Sequence, residues 1–297
     1  MSPISLFPAQ LTVDCVFSII IPTWNNLVFV KKCIESIRKN SSFKHQIIVH
    51  VNDGSDGTLE WIKQQGIDYS WSPSNAGICL PMNACRSLVK TKYIVYMNDD
   101  MYVCPLWDFN LNEEIKLISS NKFYLSSTLI EPVETGNNAV IAPCNYGKTI
   151  DSFEEDRLLK EYSTFIHADW NGASWPPSLM HVETWDLIGG FSVEFSPGMY
   201  SDPDISMKLY HAGVRVFKGV GSSRVYHFMS KSTGKVKRNN GRKQFLFKWN
   251  ISSRLFYDHI LKIGSPYKQL PESFDEKLFE KLTKKSFKKK ILMLFKK

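Results

Sequence analysis

Hydrophobic and polar positions alternate between two periods along the first hundred residues. Val16-Phe-Ser-Ile-Ile-Ile21 is an almost unbroken apolar run ended by Pro22, the pattern of a strand buried on both faces. Thr23, Trp24, Asn25 and Asn26 follow, and then apolar positions 27, 30, 34 and 37 mark one face of a helix. A second strand over Gln46–Val51 runs into the turn Asn52-Asp-Gly-Ser-Asp-Gly-Thr58, and a helix passes through Leu59 and Trp61–Ile62. An extended stretch at Tyr69–Ser72 leads to Asn75-Ala-Gly77 and a helix over about 80–89. A third apolar run, Tyr93–Met97, stops abruptly at Asn98, Asp99 and Asp100. Strands alternating with helices predict an α/β fold whose parallel sheet is joined by right-handed crossovers.

The second half is less regular. Loop 131–150, rich in Asn, Gly and Pro, carries no readable chemistry. Val182–Ile188 reads as a helix, turned at Gly189-Gly190-Phe191. Another amphipathic helix runs through Ile205, Leu209 and His211, with Asp202 and Pro203 at its start as candidate N-cap and first helical residue. Val225-Tyr-His-Phe228 reads as a strand, followed by a basic loop over 231–242 and a helix over about 244–263.

Composition adds a division of charge. Of 297 residues, 43% are hydrophobic and 22% charged, as in a soluble globular protein. Residues 1–230 hold 18 Lys and Arg against 24 Asp and Glu, a net of −6, whereas 231–297 hold 19 against 5, a net of +14. An acidic body with carboxylate-tipped strands argues against a nucleic-acid-binding protein, although the basic tail alone would suit one. From Glu276 the tail interleaves Leu278, Phe279, Leu282, Phe287, Ile291, Leu292, Leu294 and Phe295 with lysines. Such a basic amphipathic helix can lie on an anionic membrane surface, or pack on the body as an ordinary helix. Six scattered cysteines without metal-like spacing, no leader-like start and no long apolar span give the expectation of a cytoplasmic protein, peripheral at most to a membrane.

The acidic strand end is the first candidate site. Paired carboxylates at the C-terminal end of a buried strand repel unless a cation or hydrogen bonds compensate, and Mg²⁺ or Mn²⁺ is a natural partner. An acidic turn is the plainer alternative. Asn52–Thr58 offers carboxylates, hydroxyls and backbone N–H groups, without the spacing of a dinucleotide fingerprint or a P-loop. His227 reads either as a core histidine or as a ligand. In Asp169-Trp-Asn-Gly-Ala-Ser-Trp175 the rings suit either stacking on a sugar or packing in the core.

In order, strand–Pro-Thr-Trp-Asn, Asn-Asp-Gly-Ser-Asp-Gly-Thr, Asn-x-Gly, Asn-Asp-Asp, Ile188-Gly-Gly-Phe, Tyr200-Ser-Asp-Pro-Asp and Val225-Tyr-His-Phe resemble a family 2 glycosyltransferase over about residues 16–230. The resemblance implies a GT-A, Rossmann-like fold: a mixed, mainly parallel central sheet flanked by helices, here with a basic C-terminal helical extension at 231–297. It implies a nucleotide-sugar half (about 16–105) and an acceptor and catalytic half (106–230). It also implies sugar transfer from a UDP-, GDP- or dTDP-sugar to a saccharide or glycoconjugate hydroxyl, as in polysaccharide biosynthesis, with inversion and with Mn²⁺ or Mg²⁺. Donor contacts fall on Pro22, Thr23, Asn25, Asn52, Asp53, Asn75, Gly77, Asn83, Asn98 and Asp99, and metal ligands on Asp100 and His227. Acceptor contacts fall on Trp170, Asn171 and Trp175, and the general base on Asp202, with Asp204 structural. The basic loop after 230 would close on the diphosphate. Two departures stand out: Asn98 replaces the first Asp of a DxD motif, and Met82 replaces an Arg common before the last donor Asn. A nucleotidyltransferase is the alternative enzyme, although it would carry a Gly-rich basic loop where this chain has Pro-Thr-Trp-Asn-Asn.

Overall fold

A computed structural model of the chain describes residues 3–10, 14–230 and 239–295. One mixed sheet runs through it, built from β1 (Ser5–Phe7), β2 (Phe17–Trp24), β3 (Gln46–Asn52), β4 (Asp68–Ser72), β5 (Tyr93–Tyr96), β6 (Met101–Val103), β7 (Phe123–Ile130), β8 (Val140–Ile141), β9 (Trp170–Asn171), β10 (Ser178–His181) and β11 (Val216–His227). The order is β1-β4-β3-β2-β5-β10-β7-β11-β6, with β8 beside β7 and β9 beside β11. Strands β4, β3, β2 and β5 are mutually parallel, as the alternation of strand and helix requires. Strand β10 is antiparallel to both β5 and β7, and so joins the parallel half to a second half around the parallel pair β7 and β11. The apolar run at 16–21 continues past Pro22 to Trp24. Pairing with β5 ends at Ile20, so beyond it β2 has one open side, where a residue without an N–H is tolerated.

Helices α1 (Leu27–Asn40), α2 (Thr58–Lys63), α3 (Cys79–Cys85), α4 (Trp107–Leu117), α5 (Glu155–Glu161), α6 (Val182–Ile188), α7 (Ser201–His211), α8 (Gly241–Trp249), the short α9 (Ser253–Leu255) and α10 (Glu276–Phe295) cover the sheet. Alternate strand residues feed two cores. Ile19, Ile21, Val49, Val51 and Val95 pack with Val30, Ile34, Trp107 and Leu111 on one face. Ile20, Ile48, Ile94 and Tyr96 pack with Cys79, Met82 and Cys85 on the other. The tail joins this second core through Phe245, Ile251, Phe256 and Leu282.

The expected single helix over 244–263 is a correction. It breaks at Asn250, whose φ of 59° ends α8, and resumes as α9 and a π-helical turn over Phe256–Leu261. No disulfide joins any cysteines among the described residues. No helix among the described residues is long and apolar enough to cross a membrane.

Candidate active site

In the order β4-β3-β2-β5 the chain leaves β2 on one side for β3 and later returns to its other side for β5. Open α/β sheets bind ligands at such a reversal, outside the C-terminal strand ends. A cavity of about 710 Å³ opens there, within the range of small-molecule sites. Pro22–Trp24, Asn52, Asn75, Gly77 and Ile78 form one wall; Asn98–Met101 and His227 lie at the strand ends. Trp175, Pro176, Pro197–Met199, Ser201 and Asp202 form the wall contributed by the second half. A smaller cavity of about 280 Å³ touches Cys15, Lys44 and Asp68 at the opposite, N-terminal ends of the strands.

Asp99 and Asp100 are both buried, and their surroundings separate them. Asp99 accepts a hydrogen bond from Thr23 Oγ1 at 2.7 Å, yet burial and then the neighbouring Asp100 charge push its carboxyl up. For Asp100 burial acts in the same direction but is outweighed by the hydrogen bond and charge of His227 and by the Ser230 N–H, so its carboxyl is held below the ordinary range. The Ser230 N–H donates to Asp100 Oδ2 at 2.8 Å, and His227 Nε2 lies 3.5 Å from the same oxygen. Strand pairing brings these groups together. β6 follows Asp100 directly and pairs antiparallel with the end of β11, placing Met101 opposite His227.

On its other side β11 pairs with β7, so that Glu131, just beyond Ile130, meets His227 Nδ1 at 2.9 Å. Held between two carboxylates, His227 is pushed up to about 9 although burial opposes its charge. Two donor atoms about 2.1 Å from one metal ion stand roughly 3–3.5 Å apart, which matches the separation of Asp100 Oδ2 and His227 Nε2. With Nδ1 oriented by Glu131, the pair fits a divalent ion as two of its ligands. Among the described residues no group of three or more His, Cys, Asp or Glu is arranged to hold an ion unaided, so phosphate and water oxygens would complete the shell.

Asp202 faces the cavity from the far wall. It is the second residue of α7 and not its cap: the helix starts at Ser201 after Tyr200, and no described residue hydrogen-bonds the Asp202 carboxylate. Burial alone pushes it up to about 7, and its charge bears on the phenols of Tyr96, Tyr124 and Tyr257. Asp204 is structural, as expected: it accepts from Trp249 Nε1 at 2.7 Å and pairs with Lys248 at 2.9 Å.

The other expected residues divide. Pro22, Thr23, Asn52, Asn75, Gly77, Asn98 and Trp175 line the cavity. The Asn52 amide is anchored by the Ala76 N–H at 2.7 Å, and Gly77 turns with φ 78° against Pro197, whose Cα would stand 2.6 Å from an added Cβ. The 75–78 loop thereby closes on the 194–198 loop, joining the two halves. Asn25 and Asp53 lie just outside and bind each other at 2.9 Å, both with positive φ.

Three expectations are corrected. Asn83 spends both ends of its amide on the backbone of Phe191, at 2.7 and 2.8 Å, and lies outside the cavity. Trp170 is buried beneath Gly219 and donates to Thr128 Oγ1. Asn171 bonds Ser265, Pro266 and Lys268. Each of these side chains is spent on packing or on polar groups of the protein itself, and none lines the cavity. Residues 231–238 of the basic loop lie outside the described residues. Sequence reading missed Glu131, Thr135, Asn137 and Met199, which also line the cavity.

The family description for glycosyl transferase family 2 matches residues 18–117. No curated protein matches the chain in sequence at a significant level. Among solved structures, Staphylococcus aureus TarS 1–349 in complex with UDP-GlcNAc superposes with a TM-score of 0.58 at 15% identity, over 92% of this chain and 73% of that one. A second structure of TarS 1–349 gives 0.53 at 16% identity, over 71% and 60%. GalNAc-T7 with UDP, GalNAc and Mn²⁺ gives 0.57 at 14% identity, over 94% and 57%. The chain thus spans between 57% and 73% of these relatives' lengths. Over residues 18–117 the chain is thus similar in sequence to glycosyl transferase family 2, and as a whole it has the GT-A fold of these structures.

Proposed function

We propose that the protein transfers a sugar from a nucleoside-diphospho-sugar to an acceptor hydroxyl in one inverting displacement. The observation that carries this reading is that Asp99, Asp100 and His227 share one cavity with Asp202, which faces them from the other half of the fold. The nucleoside would lie against Pro22–Trp24, Asn52 and Asn75–Gly77, with the Asn25–Asp53 pair just beyond. Asp100 and His227 would hold Mn²⁺ or Mg²⁺ against the diphosphate, as the Mn²⁺ in the GalNAc-T7 structure favours. Bound there, the ion would supply electrostatic stabilisation of the leaving diphosphate.

This chain's own residues would do the rest. Thr23 holds Asp99 beside the diphosphate, and Glu131 fixes the His227 ring so that Nε2 points inward. Asp202, raised to about 7, is a carboxylate basic enough to accept the acceptor's proton near neutral pH as its oxygen attacks the anomeric carbon. Trp175 would present an aromatic face to the acceptor sugar. The acceptor would be a saccharide or glycoconjugate; one carried on a lipid would be met at an anionic membrane surface, for which the charge of α10 is suited. UDP is the favoured nucleotide, from the UDP-GlcNAc in the TarS structure and the UDP in the GalNAc-T7 structure. A thermal-shift panel of UDP-, GDP- and dTDP-sugars, each with and without Mn²⁺, tests the reading. One nucleotide class should stabilise the protein only when the metal is present, and indifference to every member would overturn it.

A further inference from the structure

Helix α10 packs on the body with one face and leaves a second apolar face in solvent. Leu282 is 1% exposed, Phe279 meets His211 and Phe274 at ring distances of 5.4 and 5.3 Å, and Ser286 Oγ accepts the Ser252 N–H at 3.0 Å. That side of the helix is satisfied. Ile291 lies nine residues beyond Leu282, about 180° round the helix. With Phe287 and Leu294 it forms an i, i+4, i+7 stripe pointing away from the body, 61%, 39% and 58% exposed for Phe287, Ile291 and Leu294. Three large apolar side chains aligned in this way need a cover.

Charge identifies the cover. Lys281, Lys284, Lys285 and Lys288 are exposed on the same helix, and only Lys284 has an acidic partner among the described residues, Glu280 at 2.6 Å. Lys289 sits near Arg242 and Arg254; burial and then their positive charges hold it below the ordinary lysine range. A second copy of this surface would be repelled by the unpaired lysines. A nucleic acid would satisfy the charge and leave Phe287, Ile291 and Leu294 in water. An anionic bilayer satisfies both, taking the apolar stripe to the depth of the acyl boundary and the lysines to the headgroup phosphates.

We infer that α10 is a membrane-docking helix, lying in the plane of an anionic lipid surface with Phe287, Ile291 and Leu294 inserted and Lys281, Lys285 and Lys288 on the headgroups. The inference uses no residue of the catalytic cavity, so it stands or fails apart from the glycosyl-transfer reading.

The test is co-sedimentation of the full chain with phosphatidylcholine vesicles, with and without phosphatidylglycerol. Wild type should bind only the anionic vesicles, more weakly as salt rises. Phe287→Ser/Ile291→Ser/Leu294→Ser should abolish binding with its charge intact. Lys281→Gln/Lys285→Gln/Lys288→Gln should weaken it on the order of a hundredfold. Because every substituted side chain is exposed, both variants should melt like wild type and bind nucleoside diphosphate equally well, which separates lost docking from lost folding. The inference is overturned if wild type ignores anionic vesicles or if the serine variant still binds them. It is also overturned if that variant instead converts a dimer to a monomer in light scattering, or if an oligonucleotide is bound and the serine substitutions leave that binding unchanged.

Discussion

Replacing Asp202 by Asn should slow the proposed glycosyl transfer and make the fold more stable, and the second effect depends on pH. The carboxyl moves from an ordinary value of 3.8 to about 7 because the folded protein desolvates it. A rise of this size corresponds to about 4 kcal/mol, which solvent screening of the half-buried side chain reduces to roughly 2–4 kcal/mol. Since the folded-state value lies above the unfolded one, the folded state binds this proton more tightly. The associated stability is complete below about pH 4 and is lost as pH rises through about 7. Asn carries no charge to desolvate, so the variant should melt several degrees above wild type at pH 8, with the difference shrinking towards pH 5. A carboxylate that served only the first turn of α7 would behave oppositely, its loss costing about 0.3–1 kcal/mol. In parallel, nucleoside diphosphate release with acceptor at pH 8 should fall by about 10²-fold or more, and the wild-type rate should rise as pH passes about 7. A variant that melts no higher than wild type at pH 8 and turns over within a few-fold of it would refute both the desolvation and the base.

Four further substitutions probe the frame around Asp202. Glu131→Gln should weaken Mn²⁺ binding, read by the ion's own magnetic resonance signal, by about 10–100-fold at nearly unchanged melting temperature, because it loosens the His227 ring. Trp170→Ala should cost about 3–5 kcal/mol in denaturant unfolding, whereas Trp175→Ala should leave stability closer to wild type and raise the acceptor KM. Gly77→Ala should destabilise by about 1–3 kcal/mol and raise the donor KM, since its Cβ would strike the Pro197 backbone from a left-handed conformation.

The parallel half of the fold was legible because local pattern decides it: apolar runs at 16–21, 46–51 and 93–97 each became a buried strand. The strand ends therefore appeared where the sequence placed them, and Thr23, Asn52, Asn98, Asp99 and Asp100 came with them. Contacts set by pairing of distant strands were not legible. Glu131 sits in a loop without a local signal and reaches His227 only because β7 lies beside β11, 96 positions away along the chain. Trp170 and Trp175 look alike in the sequence, yet the first lies beneath Gly219 and the second faces the cavity. The break at Asn250 was hidden for a similar reason, since burial of Ile251 and Phe256 overrides the continuous helical pattern.

The most direct measurement of the central claim is calorimetric titration of UDP into the protein with and without Mn²⁺, for wild type, Asp100→Ala and Asp202→Asn. Binding should require the metal in wild type, survive Asp202→Asn and be lost in Asp100→Ala, because in the proposed function one carboxylate serves the donor and the other the acceptor. Metal-dependent UDP binding that persists undiminished in Asp100→Ala, or no UDP binding by wild type under any condition, would contradict it.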